Sequence, residues 1–273
     1  MSKKKVLIVT QEMHPYTEFT EISEIARRLP QYAQDNGLEI RVLMPRFGTI
    51  NERRHRLHEV VRLSGMNIIV DDDDYPLIIK VASLPGARMQ VYFLDNEDFF
   101  KRKAVFEDEQ GQSFEDNTDR MVFFCKGVLE TVKKFGWPPD IVHCHGWMTS
   151  LIPLYLKTAY KNEPLFRHSK VIYSIYSESV GKALAPGFLS KASINNLDAV
   201  HLSPYQNGQE ISLNAGAIAL SDALVKGSET LPDSVTQELA QTEKPVMEYK
   251  EGDDYLTAIL DFYHALLQEE VEG

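Results

Sequence analysis

The apolar run Val6-Leu7-Ile8-Val9 restricts the fold of this chain more than any other feature. It lies within a short segment from Lys4 to Thr10 with polar flanks, the pattern of a fully buried parallel strand rather than an alternating surface strand. A polar loop, Gln11 to Phe19, follows. Ile22, Ile25, Ala26, Leu29 and Ala33 then recur at helical spacing, and Gly37 marks a C-terminal stop. Strand, loop and helix in this order open a Rossmann-like unit. Leu38 to Met44, closed by Pro45, supplies its second strand.

The alternation continues after an interruption. Between Leu57 and Asp95 the chain reads as extended pieces, Val60 to Val70, Leu77 to Leu84 and Met89 to Leu94, which predict an antiparallel insertion or meander. Asp71 to Asp74 separates two of them. It lacks the spaced ligands and central glycine of a calcium loop, so it reads as a solvated turn. From Asn117 to Phe135, residues Met121, Phe124, Cys125, Val128, Leu129 and Val132 form a helical apolar stripe that ends at Gly136. Asp140 to His143 predicts a strand, Thr149 to Ala159 a helix, Lys170 to Tyr176 a strand, and Ala215 to Lys226 a further helix and strand. Asp253 to Glu270 places Tyr255, Leu256, Ile259, Leu260, Tyr263 and Leu266 on one side of a docked terminal helix. With no repeat or low-complexity linker, residues 1–273 are expected to form one domain.

A net charge of −11 with no basic patch argues against nucleic acid as a partner. The apolar run behind Met1 is too short for a signal peptide or membrane span, so a cytoplasmic location is expected. Cys125 and Cys144 are too few for a disulfide framework and are expected to stay reduced.

Several stretches resemble the bacterial glycogen/starch synthases. Met44-Pro45-Arg46-Phe47-Gly48 is similar to that family's "PRYG" turn, and Val91-Tyr92-Phe93-Leu94-Asp95-Asn96 with Phe99-Phe100 to its "VYFIDN…YF" segment. Asp116-Asn117-Thr118-Asp119-Arg120 with Phe123-Phe124 resembles "DNAERFAFF". Gly136-Trp137-Pro138-Pro139-Asp140-Ile141-Val142-His143 resembles "GWKPDVIH", and a weaker likeness runs from Leu213 to Ala223. The resemblance implies an α/β fold: a single Rossmann-like parallel sheet flanked by helices, with an antiparallel insertion, corresponding to the N-terminal half of a GT-B glycosyltransferase. A family synthase also has a second Rossmann domain that binds most of the nucleotide-sugar. The chain stops before such a domain could begin, so none is expected.

The resemblance also locates substitutions. Where the family carries "KxGGL", this chain has Glu18-Phe19-Thr20-Glu21-Ile22, so Glu18 replaces the lysine, and Thr20 and Glu21 replace the glycines. No glycine occurs from Met1 to Asn36, whereas a phosphate-cradling loop needs close backbone approach. A carboxylate beside a diphosphate costs on the order of a kcal/mol or more per close pair. Thr17 or Thr20 can start the helix instead, with Glu18 or Glu21 in the electrostatic niche at its N-terminus. The family's "HxHDWHT" appears as His143-Cys144-His145-Gly146-Trp147-Met148-Thr149, with Gly146 for the acid and Met148 for the third histidine. His143, Cys144 and His145 read as packed or hydrogen-bonded rather than metal-binding, because strand neighbours face opposite ways and no third ligand is near in sequence. The family's "FTIHN" corresponds to Tyr173-Ser174-Ile175-Tyr176-Ser177. Tyr176 replaces a histidine, and a phenol is no equivalent acid or base near neutral pH.

The positions matching the family's donor and sugar motifs are therefore Glu18, His145, Gly146, Trp147 and Tyr176. None is assigned a catalytic role, and no metal or cofactor is expected. No GxSxG elbow, Walker loop or HExxH motif replaces the altered residues. The expected function is a glycogen synthase-like protein of glucan biosynthesis, catalytically inactive alone, that binds glucan or regulates. One alternative is a glucosyltransferase subunit completed in trans by a separate donor-binding domain; another is a structural or assembly protein. The implied partners are a glucan, a glycogen-metabolism protein or a second copy of the chain, with no nucleic acid and no membrane.

Overall fold

Lys5–Thr10 forms β1, the middle of a mostly parallel sheet. The computed structural model describes residues 3–178, 184, 187–195, 197–208 and 210–268. The strands are β1, β2 (Glu39–Pro45), β3 (His58–Glu59), β4 (Met66–Val70), β5 (Asp73–Ser83), β6 (Gln90–Asp95), β7 (Ile141–His145), β8 (Lys170–Ile175), β9 (Gln206–Asn207), β10 (Glu210–Ile211), β11 (Ala223–Lys226) and β12 (Val246–Met247). The main sheet runs β12-β11-β8-β7-β1-β2-β6-β5-β3, with β4 also paired to β5. Every pairing from β12 to β6 is parallel, and β5 is antiparallel to β6, β4 and β3. β9 and β10 form a separate small ribbon.

The helices are α1 (Glu21–Asp35), α2 (Glu52–His55), α3 (Glu97–Phe100), α4 (Asn117–Phe135), α5 (Leu151–Lys157), α6 (Phe188–Ala192), α7 (Ala199–Leu202), α8 (Leu213–Leu220), α9 (Asp233–Gln241) and α10 (Asp253–Gln268). Helices α4, α5 and α8 pack side by side, while α1 and α10 pack on each other. Val6, Leu7, Ile8 and Val9 are wholly buried between these layers. Each such side chain stabilises the fold by about 1.5–3 kcal/mol relative to exposure. This is why an apolar run without alternation becomes a central strand. Alternation of side-chain direction then sends neighbouring β7 residues to different layers. His143 meets Tyr263 of α10, whereas Cys144 lies on the α4 side near Cys125. Both cysteines are free and buried.

Two boundaries differ from the sequence reading. Val60 to Val70 is not one extended piece. Val60 C=O accepts from Leu63 N–H at 2.9 Å and Ser64 N–H at 3.1 Å, so the chain turns before β4 begins at Met66. The aspartate run does not form one turn either. Asp71 and Asp72 make the hairpin, and Asp73 and Asp74 begin β5 with their side chains in solvent. Glu269 and Glu270, expected at the end of the terminal helix, lie outside the described residues.

Helix α1 begins at a reciprocal cap. Thr20 Oγ1 accepts from Ser23 N–H at 3.0 Å, and Ser23 Oγ accepts from Thr20 N–H at 2.8 Å. Glu21 and Glu24 occupy the first turn, where the helix dipole favours negative charge. Thr20→Ala should therefore lower stability by about 1 kcal/mol in urea denaturation, and an unchanged midpoint would show that the cap carries no weight.

Candidate functional site

In an open parallel sheet, loops at the carboxyl ends of adjacent strands converge on a crevice. Here β1, β7 and β8 are neighbours, so the loops beginning at Gln11, Gly146 and Tyr176 meet. They are joined by side chains of the chain itself. Met148 N–H donates to Gln11 Oε1 at 3.1 Å, and Trp147 N–H donates to Glu178 Oε1 at 2.9 Å. Gln11 Nε2 donates to Glu178 Oε2 at 2.7 Å and to Glu12 Oε1 at 3.2 Å. Thr20, the cap of α1, donates to the other oxygen of Glu12. One polar chain thus runs from the loop after β7 through the loops after β8 and β1 to the start of α1.

Gly146 makes this closure sterically possible. Its backbone sits at φ +88° and ψ 161°, a region that only glycine enters readily. A Cβ there would lie 2.3 Å from Gln11 Cδ and 2.4 Å from Gln11 Oε1. The space beside residue 146 is therefore filled by the glutamine side chain.

Beneath this floor His145 and Tyr176 are both buried, with Tyr176 Oη 2.8 Å from His145 Nδ1. The Tyr176 ring lies against Gly227, where an added Cβ would approach Cε1 to 2.5 Å. His143 stacks 4.0 Å from His145 and bridges Tyr263 Oη at 2.6 Å and Ser174 Oγ at 2.7 Å. Burial lowers the pKa of His145 to about 3. Burial, with His145 beside it, holds that of His143 well below the ordinary imidazole range. Both rings are neutral at physiological pH. Burial and the nearby Tyr255 raise the Tyr176 phenol far above its usual value, so it acts as a hydrogen-bonding group only.

Above the floor is a cleft of about 470 Å³, whose walls include Glu12, Glu18, Lys103, Phe106, Trp147 and Glu178. The rings of Trp147 and Phe106 stand 4.8 Å apart, giving one apolar wall. Four carboxyl groups, Glu12, Glu18, Glu107 and Glu178, line the same space as Lys103. Burial, then the neighbouring Glu12, pushes the Glu178 carboxyl up to about 8, against the Trp147 and Gln11 donors that favour its ionised form.

The Starch synthase catalytic domain family model matches residues 5–246 of this chain. The chain belongs to that family. It is 34% identical over 241 residues to a glycogen synthase of Pelodictyon phaeoclathratiforme, covering 87% of this chain and 48% of that protein. A glycogen synthase of Chlorobium chlorochromatii is 43% identical over 174 residues, 63% of this chain and 36% of the relative. The chain thus spans about half the length, or less, of these curated relatives. The catalytic domain of starch synthase IV from Arabidopsis thaliana, solved bound to ADP and acarbose, superposes with a TM-score of 0.73 at 19% identity. The match covers 92% of this chain and 52% of that one, and shows that the two share a fold.

Within this starch synthase fold the five positions singled out from sequence separate into two groups. Glu18 and Trp147 line the cleft, and Gly146 turns the floor beneath it. His145 and Tyr176 are sealed behind the floor and bonded to each other. Gln11, Glu12 and Glu178 escaped the sequence reading, although Gln11 is the first residue after β1 and Glu178 stands two residues beyond Tyr176. Their positions at parallel strand ends were the available signal. Among the described residues no group of three or more His, Cys, Asp or Glu could hold a metal ion. Nor is any helix there long and apolar enough to cross a membrane.

Proposed function

We propose that this chain is a cytoplasmic, non-catalytic relative of the glycogen synthases that binds glucan or regulates glucan synthesis through the cleft at the ends of β1, β7 and β8. The closure of these loops by Gln11 and Glu178 carries the reading. Backbone donors of Trp147 and Met148, which could have faced a ligand's negative charge, are already taken by the chain's own oxygens. The only basic residue lining the cleft among the described residues is Lys103, which shares it with Glu12, Glu18, Glu107 and the largely protonated Glu178. Putting another anion there adds repulsion of order 1–4 kcal/mol per close pair, depending on screening.

The same cleft suits a neutral polyol. Trp147 and Phe106 offer an apolar face for a sugar ring, and the carboxyl oxygens accept from hydroxyls. Purified protein given labelled ADP-glucose or UDP-glucose with glycogen should transfer no glucose above background, while calorimetry with maltooligosaccharides should show binding. Robust incorporation of label would overturn the inactive reading. Absence of any glucan binding would overturn the ligand assignment.

A second reading rests on membership of the synthase family. It is a transferase subunit whose donor domain is supplied in trans. A partner that co-purifies and restores transfer would establish it.

A further inference from the structure

We infer that Glu178, held in place by Gln11, is the specificity-determining residue of this cleft, an internal occupant that admits neutral hydroxylated ligands and bars phosphorylated ones. The inference deepens the ligand assignment just made and rests on the same cleft being the ligand site.

The geometry gives Glu178 this role rather than that of a surface acid. Its two oxygens accept from separate loops, Trp147 N–H at 2.9 Å and Gln11 Nε2 at 2.7 Å, and it forms part of the cleft wall. A ligand phosphate seeking those donors would have to displace a carboxyl that is covalently part of the chain and already bonded. Gln11 cannot withdraw freely, because its carbonyl oxygen holds Met148 N–H and its side chain lies against Gly146. A neutral hydroxyl has no such conflict, since it can donate to the unused lone pairs of the same oxygens.

Among the described residues, several segments bring titratable groups to this cleft. Glu12 belongs to the loop after β1 and acts on Glu178 directly, Glu18 lies further along that loop, and Glu107 and Lys103 line the same cleft. Tyr173 of β8 and Tyr176 behind it are neutral phenols near the carboxyl. Glu12 therefore opposes ionisation of Glu178, and among the described residues Lys103 is the only cation lining the cleft. The barrier to anions strengthens as Glu178 ionises, through pH about 8.

Titration of the full chain with inorganic pyrophosphate tests the assignment, using wild type, Glu178→Gln, Glu12→Gln and a charge control, Asp261→Asn, on the exposed side of α10. At pH about 9, where wild type is ionised, Glu178→Gln should raise pyrophosphate affinity about tenfold over wild type. The ratio between the two should be larger at pH about 9 than at about 6, because only wild type changes charge at this position. Using the ratio cancels titration of the pyrophosphate itself. Glu12→Gln should raise affinity less, and it supplies the readout if Glu178→Gln does not fold. Asp261→Asn should match wild type. The assignment is overturned if neither cleft variant gains affinity, if the gain is equal in Asp261→Asn, or if the ratio is independent of pH. Maltooligosaccharide titration of the wild type tests the glucan reading separately. Failure there with a pyrophosphate gain in Glu178→Gln would leave the charge barrier standing and remove only the choice of neutral ligand.

Discussion

Gly146→Asp, which places the family's aspartate at this position, is expected to destabilise the protein by about 4 kcal/mol. Two effects add. The backbone at φ +88° and ψ 161° is a glycine region, and a residue with a Cβ held there costs about 1–3 kcal/mol. The new Cβ also falls 2.3 Å from Gln11 Cδ, and overpacking of a filled site costs typically about 1–3 kcal/mol. An aspartate adds a charge beside the already acidic pair of Glu12 and Glu178. For a chain of this size the loss corresponds to a fall in Tm of roughly 10 °C. The double variant Gln11→Ala with Gly146→Asp separates the causes. Removing the glutamine side chain relieves the contact and leaves the backbone strain, so it should recover about half the loss. A single variant within a degree of wild type would mean that the loop accommodates a side chain and that Gln11 does not fix it.

That result bears on what could be read from the sequence. The sheet was legible because its signals are local. Val6 to Val9, Ile141 and Val142, and Val171 and Ile172 are apolar without alternation, and burial between two helix layers is the arrangement that such runs require. The stripe along α4 and its stop at Gly136, which takes φ +60°, were equally local. The turn from Val60 to Ser64 was not, because β-branched residues carry strand propensity into a segment whose hydrogen bonds close a turn.

At the site, sequence reasoning found the positions that differ from the family but not what fills them. Gly146 reads as a missing acid, whereas the structure shows the space occupied by Gln11, a residue distant in sequence. Tyr176 reads as a missing histidine, whereas it is the hydrogen-bond partner of His145, 31 residues earlier. Polar loop residues have no periodicity to announce a role. Gln11 and Glu178 acquire theirs only because the order β1-β7-β8 brings three strand ends together. Neither residue belongs to a short motif, so no inspection of neighbouring positions would have paired them.

The same buried groups predict that stability falls on both sides of about pH 6.5. His143 and His145 titrate from 6.5 in the unfolded chain, but burial keeps both neutral in the fold, His145 down to about 3. In acid the unfolded state therefore binds more protons, so the stability these rings contribute is complete above pH 6.5 and is lost as pH falls. Glu178 works in the opposite sense. Its carboxyl titrates near 4.5 when unfolded and about 8 when folded, so its contribution is complete below 4.5 and is lost as pH rises through 8. Below 6.5 the two buried histidines, with His55 shifted in the same direction, oppose Glu178, and stability is expected to fall as pH falls. Between 6.5 and 8 only Glu178 acts, and stability should fall again by about 2 kcal/mol. Urea midpoints measured across this range should trace an asymmetric peak. In Glu178→Gln the alkaline limb should vanish while the acid limb steepens, since the opposing proton is gone. A wild-type midpoint that stays level from pH 6.5 to 8 would show that Glu178 is ionised in the fold and that the donors of Gln11 and Trp147 outweigh its burial.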